Sequence, residues 1–354
     1  MKFKKCGSDF MKKVMVGISG GVDSATSCLV LKEMGYDVAG VNINFIDPND
    51  EINIDAKEVC KTLNIPFFHF DLYNDFKDKI IKNFYESYNS GKTPNPCILC
   101  NKYFKFGKML EFALNNGYEY IATGHYAKVE YSDKYGRYIL RKANNLLKDQ
   151  SYFLYQIPKD ALSHVIFPLE EFDSKEEVRN KAKEANLGVS QKKDSLDICF
   201  IPTKDYKKYL IDNNYVKPKT GNIVLSDGKV LGKHTGLFNY TIGQRKGLGV
   251  SYSEPLFVLG FDFNKNNLIV GTEKELYKKE ILVSNINLLL FDRLEDGLKL
   301  NVRIRYQGKD NPATLYNDNN KIRIVFDEEI KSPTPGQSAV FYLDDIVVGG
   351  GIIE

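Results

Sequence analysis

The sequence predicts an α/β domain of nucleotide-binding type, built on a parallel sheet, followed by a β-rich second half. Two patterns predict it. From Val14 to about Tyr126, short β-rich runs alternate with helical stretches, the order that produces a parallel sheet covered by helices on both faces. From about residue 220 onward, alternating strand-like runs are separated by polar turns at Asp227-Gly228, Asn264 to Asn267 and Asn317 to Asn320. That pattern predicts mostly antiparallel sheet, closing into one or two small barrels. At 354 residues the chain also exceeds the usual size of a single domain.

Taken in order, the first strand is Val14 to Ile18 and its helix runs from Ser24 to Met34, where Gly35 supplies a stop. A second strand (Val38 to Asn44), a helix at Asp55 to Leu63, a third strand (Phe67 to Leu72) and a helix at Asp75 to Tyr88 follow. Another helix after Cys100 leads to a strand at Tyr120 to Thr123. Residues 150–212 read as largely helical, most clearly at Lys175 to Asn186 and Lys204 to Asp212.

A hydrophobic content of 43% with 27% charged residues is ordinary for a soluble chain, and no apolar stretch approaches the roughly 20 residues needed to span a bilayer. Residues 1–10 carry Lys2, Lys4 and Lys5 without the apolar core of a secretory signal, so they read as an extension of a cytoplasmic protein. Net charge of +3 points only weakly to nucleic acid. Six cysteines in such a chain argue for thiol chemistry or metal binding rather than structural disulfides. Cys28 and Cys60 fall in helical patterns as small buried hydrophobes, and Cys6 lies in the extension.

Ser19-Gly20-Gly21-Val22-Asp23-Ser24 follows a strand and opens a helix, where backbone N–H groups and the helix dipole converge on an anion. The glycines permit close backbone approach, Ser19 and Ser24 offer hydroxyls to phosphate, and Asp23 is a candidate for Mg²⁺ on a pyrophosphate. No Walker-type lysine is present, which argues against a kinase or GTPase. The string resembles the PP-loop of the N-type ATP pyrophosphatases, which implies a Rossmann-like parallel sheet and adenylation of a substrate oxygen.

Thr93-Pro94-Asn95-Pro96-Cys97-Ile98-Leu99-Cys100-Asn101 is a proline-bearing loop ending in Cys-x-x-Cys near a helix start, a position that lowers thiol pKa and exposes sulfur. Asp194-Ser195-Leu196-Asp197-Ile198-Cys199-Phe200 supplies a third cysteine. With the loop, these strings resemble the bacterial and mitochondrial tRNA-uridine 2-sulfurtransferases. The resemblance runs from Met11 onward and includes Ala122 to Ala127, Lys148 to Tyr152, Gly232 to Gly236, Thr241 to Gly249 and Arg303 to Tyr306.

That resemblance implies an ATP pyrophosphatase domain at 11–202, a central β-rich tRNA-binding domain at 203–275 and a C-terminal β-barrel at 276–354. It implies Cys100 as nucleophile and Cys199 as persulfide carrier, charged by a sulfur-relay protein or cysteine desulfurase. ATP would meet Gly17, Ile18, Ser19, Gly20, Gly21, Val22, Asp23, Ser24 and Gly124, with Ile43 offering its backbone to adenine. Transfer RNA would meet Lys148, Asp149, Gln150, Arg305 and Tyr306, and the target base Asn95, Pro96 and position 97.

One departure matters. Many members carry aspartate where this chain has Cys97, so a base-contacting carboxylate is missing. Cys97, Cys100 and Cys199 form a ligand pattern suited to a [4Fe–4S] cluster with one open iron, whereas a persulfide route needs only Cys100 and Cys199. Both readings stand at this point, with a structural zinc the weaker because neither cysteine motif holds a histidine. Two broader alternatives are another PP-loop synthetase acting on a small metabolite and a non-catalytic RNA-binding protein. His125 reads as a structural hydrogen-bonding residue. Lys204, Lys207, Lys208, Lys217 and Lys219, interleaved with Tyr206, Tyr209 and Tyr215, read equally as a phosphate track or a solvated face. The Gly349-Gly350-Gly351 run reads as a strand bend.

Overall fold

The computed structural model describes residues 11–354 apart from 48, 50, 51 and 193–196. The expected extension with Cys6, and the Asp194-Ser195-Leu196 portion of the third-cysteine motif, lie outside the described residues.

Strand β1 (Lys13–Gly17) is buried on both faces, with Val14, Met15 and Val16 all 0% exposed, as a central parallel strand requires. It feeds helix α1 (Val22–Glu33), then β2 (Asp37–Asn44). Helix α2 (Ile54–Thr62) is capped by Asn53, whose side chain accepts from the Ala56 N–H at 3.1 Å. Next come β3 (Phe67–Asp71) and a helix running through Tyr73–Phe76, Lys77–Ile81 and Lys82–Asn89 with a π-helical middle. A second helix of the same kind runs through Pro96–Cys100, Asn101–Lys108 and Met109–Asn115 into β4 (Tyr120–Ala122). It begins before Cys100, not after it, because Pro96 has the fixed φ favoured at a first helical position.

A hairpin that the sequence reading did not identify follows: β5 (Lys128–Ser132) and β6 (Arg137–Arg141). Short β7 (Val165–Ile166) completes a five-stranded parallel sheet in the order β3-β2-β1-β4-β7. Residues 150–212 are less helical than expected. Only Lys175–Glu184 and Tyr206–Asp212 are α-helices there, with 3₁₀ turns at Ser151–Phe153 and Lys159–His164. Pro158, Pro168 and Pro202 interrupt the apolar periodicity, and Lys204, at φ +60°, stays outside the helix that Asp205 caps.

The second half is sheet, as expected. Strands β8 (Gly221–Leu225), β9 (Val230–His234), β10 (Phe257–Asp262) and β11 (Asn267–Gly271) form a four-stranded sheet in the order β10-β11-β8-β9, with the β8–β11 pair parallel. Strands β12 (Tyr277–Leu288), β13 (Leu298–Arg303), β14 (Asn311–Asp318), β15 (Lys321–Lys331), β16 (Ser338–Leu343) and β17 (Ile346–Ile353) follow. They close into a barrel through pairing of β12 with β17. The glycine run lies on β17 opposite a register shift in β12, where a Cβ on Gly350 would stand 2.8 Å from the Tyr155 ring.

The barrel is not a separate bead. Its β17 pairs with β6 at Ile346 and Arg141, and Arg141 is ion-paired with Asp345 at 2.7 Å. Leu289, Val340, Tyr342 and Val347 of the barrel share one buried cluster with Met15, Leu140, Tyr152 and Tyr155. Tyr152 donates from its hydroxyl to the Ser338 carbonyl at 2.9 Å, and Asn287 donates to the carbonyls of Tyr155 and Ile157. Among the described residues no helix is long and apolar enough to cross a membrane.

Candidate active site

A cavity of about 280 Å³ opens at the carboxyl ends of β1 and β2, where ligands meet open α/β sheets. Gly17, Ile18, Ser19, Asp23, Ser24, Ile43 and Gly124, all singled out from sequence, line it. Helix α1 starts at Gly21 without a side-chain cap, so its first N–H groups are left for an incoming acceptor.

The loop is held from within. Ser19 N–H donates to Ser24 Oγ at 3.2 Å, and Ser24 Oγ donates to the Gly21 carbonyl at 3.0 Å, so these hydroxyls shape the loop. Gly20 sits at φ +71°, where a Cβ would stand 2.8 Å from Asn53 Oδ1. Asn53 in turn donates to the Ser19 carbonyl and Lys192 to the Gly20 carbonyl, both at 3.2 Å. Asp23 accepts from the Tyr126 hydroxyl at 2.9 Å and from Lys175 Nζ at 2.6 Å. The carboxylate is thus fixed in place and half-neutralised by a lysine that lies 152 residues away in sequence. No local signal identifies Lys175.

His125 lines the same cavity, half-buried and hydrogen-bonded through Nδ1 to Thr123 Oγ1 at 2.7 Å. Burial, reinforced by the Lys105 charge, holds its pKa well below the ordinary value, so it is neutral.

Three cysteines lie near Lys105, which lines this cavity. Cys97 and Cys199 are exposed, whereas Cys100 is 8% exposed. Cys100 and Phe200, the residue after Cys199, belong to one apolar cluster in which Phe200 packs edge-on against Phe84 and Phe76. That packing brings the third cysteine beside the first two. The loop before Cys97 is clamped by the barrel: Thr93 N–H donates to the Pro335 carbonyl, and Gln337 donates to the Thr93 carbonyl, both at 2.9 Å.

The expectation that a helix start lowers the thiol pKa is overturned. Burial pushes Cys100 up to about 12, Lys105 partly offsets it, and Cys199 and Cys97 add to the rise. Cys97 and Cys199 are also raised, because surrounding protein displaces water around each thiol even though both residues reach the surface. One turn inside a helix, the loss of water outweighs the dipole. Among the described residues no group of three or more His, Cys, Asp or Glu side chains is placed to hold a metal ion.

Lys105 escaped the sequence reading. It follows Cys100 by five residues in a π-helical segment, whose i→i+5 pairing carries it to the side of the helix that Cys100 occupies, and it reaches the cavity wall.

Residues expected to meet RNA divide in two. Lys148 and Tyr306 are half-buried and Arg305 is exposed, donating to the Ser332 carbonyl at 2.6 Å. Asn95 lines a second cavity, between the Thr93–Asn101 loop and the barrel. Asp149, by contrast, is 2% exposed and accepts from Ala143 N–H, Ser151 N–H and Ser151 Oγ, so its carboxylate holds the loop together. Gln150 lines the nucleotide-type cavity and accepts from Tyr126 N–H at 3.0 Å. Tyr206 and Tyr215 stack on Tyr88 and Tyr85 within the protein, so one face of each ring is already covered.

Comparison with known proteins agrees with this layout. Residues 12–203 match the family model "tRNA methyl transferase HUP domain", 208–272 the "tRNA methyl transferase PRC-barrel domain" and 278–353 the "Aminomethyltransferase beta-barrel domain". The tRNA-specific 2-thiouridylase MnmA of Acetivibrio thermocellus is 42% identical over 357 residues, covering 97% of this chain and 99% of that one. The protein of the same name from Clostridioides difficile is 42% identical over 97% of this chain and 98% of its own. The crystal structure of a predicted subunit of tRNA methyltransferase from Methanocaldococcus jannaschii aligns at a TM-score of 0.33, with 21% identity over 49% of this chain and 75% of that chain, too distant to add to the fold. With the phosphate-type loop, the barrel and full-length similarity in register, the chain belongs to the tRNA-specific 2-thiouridylase family, which are tRNA-uridine 2-sulfurtransferases.

Proposed function

We propose that this chain replaces the C2 oxygen of a tRNA wobble uridine with sulfur, at the expense of ATP, by a persulfide route. The observation that carries the reading is a cavity walled by a loop of phosphate-binding shape and by Lys105, the same lysine that stands near three free cysteines. Residues 11–202 would hold ATP and the thiols, and 203–275 with 276–354 would hold the tRNA.

The uridine O2 attacks the α-phosphorus of ATP, and pyrophosphate leaves. Asp23, its carboxylate held by Tyr126 and Lys175, would hold Mg²⁺, which would supply charge neutralisation on the phosphates. The terminal sulfur of a Cys199 persulfide, delivered by a sulfur-relay protein or cysteine desulfurase, then attacks C2. Cys100 thiolate attacks Cys199 Sγ; the S–S electron pair becomes the new C=S bond as the C2–O bond breaks and AMP departs. A Cys100–Cys199 disulfide remains, to be reduced by an external dithiol. The loop before Cys97, held by Thr93 and Gln337, offers Asn95 and Pro96 to the base, which must leave its stack to enter.

The test is reconstitution with Mg-ATP, unmodified tRNA and a persulfide donor, followed by nucleoside mass spectrometry. Expected is 2-thiouridine, abolished in Cys100→Ser and Cys199→Ser and retained in Cys97→Ser. Dependence on Cys97 and bound iron would replace this route with the cluster route. AMP release without thiolation would point to another adenylating synthetase, and tRNA binding without AMP release to a non-catalytic role.

A further inference from the structure

Among the described residues, Lys105 joins both halves of the site. Its side chain lines the cavity beside Asp23, His125 and Gly124. It also stands close enough to Cys97, Cys100 and Cys199 for its charge to act on each thiol. Neighbouring lysines are taken up elsewhere: Lys102 donates to Gln156 at 2.8 Å, Lys108 pairs with Asp75 at 3.5 Å, and Lys175 with Asp23. Lys105 is half-buried and, among the described residues, has no hydrogen-bond or ion-pair partner. An ammonium partly removed from water without a protein anion is a charge set to meet an anion from outside. The cavity it lines is the one with the uncapped helix start.

We propose that Lys105 is a catalytic residue that binds the α-phosphate of the adenylylated uridine and presents that intermediate to the cysteines. The inference rests on the sulfur-transfer reading above and adds to it the group that serves both chemical steps. In the first, negative charge builds on the non-bridging α-phosphate oxygens as uridine O2 bonds to phosphorus and the bond to pyrophosphate breaks. The ammonium meets that charge. In the second, the C2–O electron pair moves onto the AMP phosphate as sulfur takes its place at C2, and the same cation stabilises the departing group. A fixed cation aimed at charge that develops in the transition state accelerates the step without tightening ground-state binding to the same degree.

The experiment compares wild type, Lys105→Met and Lys105→Arg in single-turnover AMP formation with Mg-ATP, unmodified tRNA and a persulfide donor, across ATP concentrations. Loss of one such donor predicts a fall of about a hundredfold or more in the maximal rate for Lys105→Met, a KM for ATP changed only a few-fold, and recovery of at least about tenfold in Lys105→Arg. A readout free of ATP and tRNA accompanies it: iodoacetamide modification of the exposed Cys199 at pH 8, followed by peptide mass spectrometry. Lys105→Met slows that modification several-fold relative to wild type, and Lys105→Arg restores it. If Lys105→Met keeps a maximal rate within threefold of wild type, or if the loss falls wholly on KM, the proposal is overturned. Unfolding of Lys105→Met shows as a lost thermal transition, in which case Lys105→Arg against Lys105→Gln decides by the same criteria. If wild type itself makes AMP but no 2-thiouridine, the sulfur-transfer reading fails while the Lys105 comparison still returns its own answer.

Discussion

Replacing Gly124 by alanine tests whether the nucleotide loop works by the position of its backbone. An added Cβ would stand 2.8 Å from Asp23 Cβ, 2.9 Å from the Asp23 carbonyl carbon and 2.9 Å from the Ser24 nitrogen. Two of those atoms are backbone at the start of α1, so no rotamer change relieves the clash. Ordinary van der Waals contact begins roughly half an ångström further out, and the loop cannot yield cheaply because Tyr126 and Lys175 hold Asp23 while Lys192 and Asn53 hold Gly20 and Ser19. Overpacking of this kind costs about 1–3 kcal/mol. If the shift falls on the N–H groups that face phosphate, ATP binding weakens by about 5- to 150-fold. The assay is AMP formation against ATP concentration, paired with thermal melting with and without Mg-ATP. Gly188→Ala is the control, since a Cβ there meets nothing within 4 Å and its φ is not positive. The reasoning is refuted if Gly124→Ala matches Gly188→Ala in both KM and melting.

Phe200→Ala removes a ring packed on Phe76 and Phe84 and should cost about 3–5 kcal/mol in denaturant unfolding. At a temperature where it stays folded, it should release pyrophosphate but transfer little sulfur, because Cys199 loses its anchor; proportional loss of both activities would count against that role. Asp149→Ala strands three buried donors, while Arg303 keeps Asp310 at 2.7 Å, and should destabilise by about 3 kcal/mol; a change under about 1 kcal/mol would show the loop is held otherwise. Burial pushes Glu170 up to about 7, Lys128 pulls it back, and Glu171 and Glu130 add to the rise. Its folded pKa therefore exceeds the unfolded one, near 4.3, so the stability it contributes is complete below that value and is lost as pH rises to about 7. Glu170→Gln should gain on wild type by about 2–3 kcal/mol between pH 4.5 and 7.5, measured by urea unfolding; a flat difference would contradict the burial argument.

Local pattern made much of this molecule legible. The loop from Ser19 to Ser24 and strand β2 are contiguous segments whose residue types encode their own geometry, and Ser19, Asp23, Ser24 and Ile43 from them line the cavity. The three-cysteine spacing was equally readable, but its electrostatics were not, because the burial of Cys100 depends on Phe104, Phe200 and their neighbours from three separate segments. Lys175 was unreadable because its partnership with Asp23 exists only after folding. Lys105 was hidden because a π-helical turn changes which residues share a face, and no periodicity rule built on 3.6 residues per turn places it with Cys100. The β5–β6 hairpin went unseen because its strands read as continuation of a loop until the barrel supplies a neighbour at Ile346.

The pairing of β6 with β17, and the cluster that Tyr152 and Tyr155 share with Val340 and Val347, bear on how the chain is made. A ribosome delivers the nucleotide-binding segment first, at about 5–20 residues per second. The barrel residues that seal its core emerge on the order of ten seconds later. Through that interval the nascent protein carries an open apolar face and an unpaired strand edge at β6. Release of the last strand is therefore the event that makes the first domain native, and truncations ending before Ile346 should be retained by chaperones rather than accumulate as a folded ATP-binding fragment.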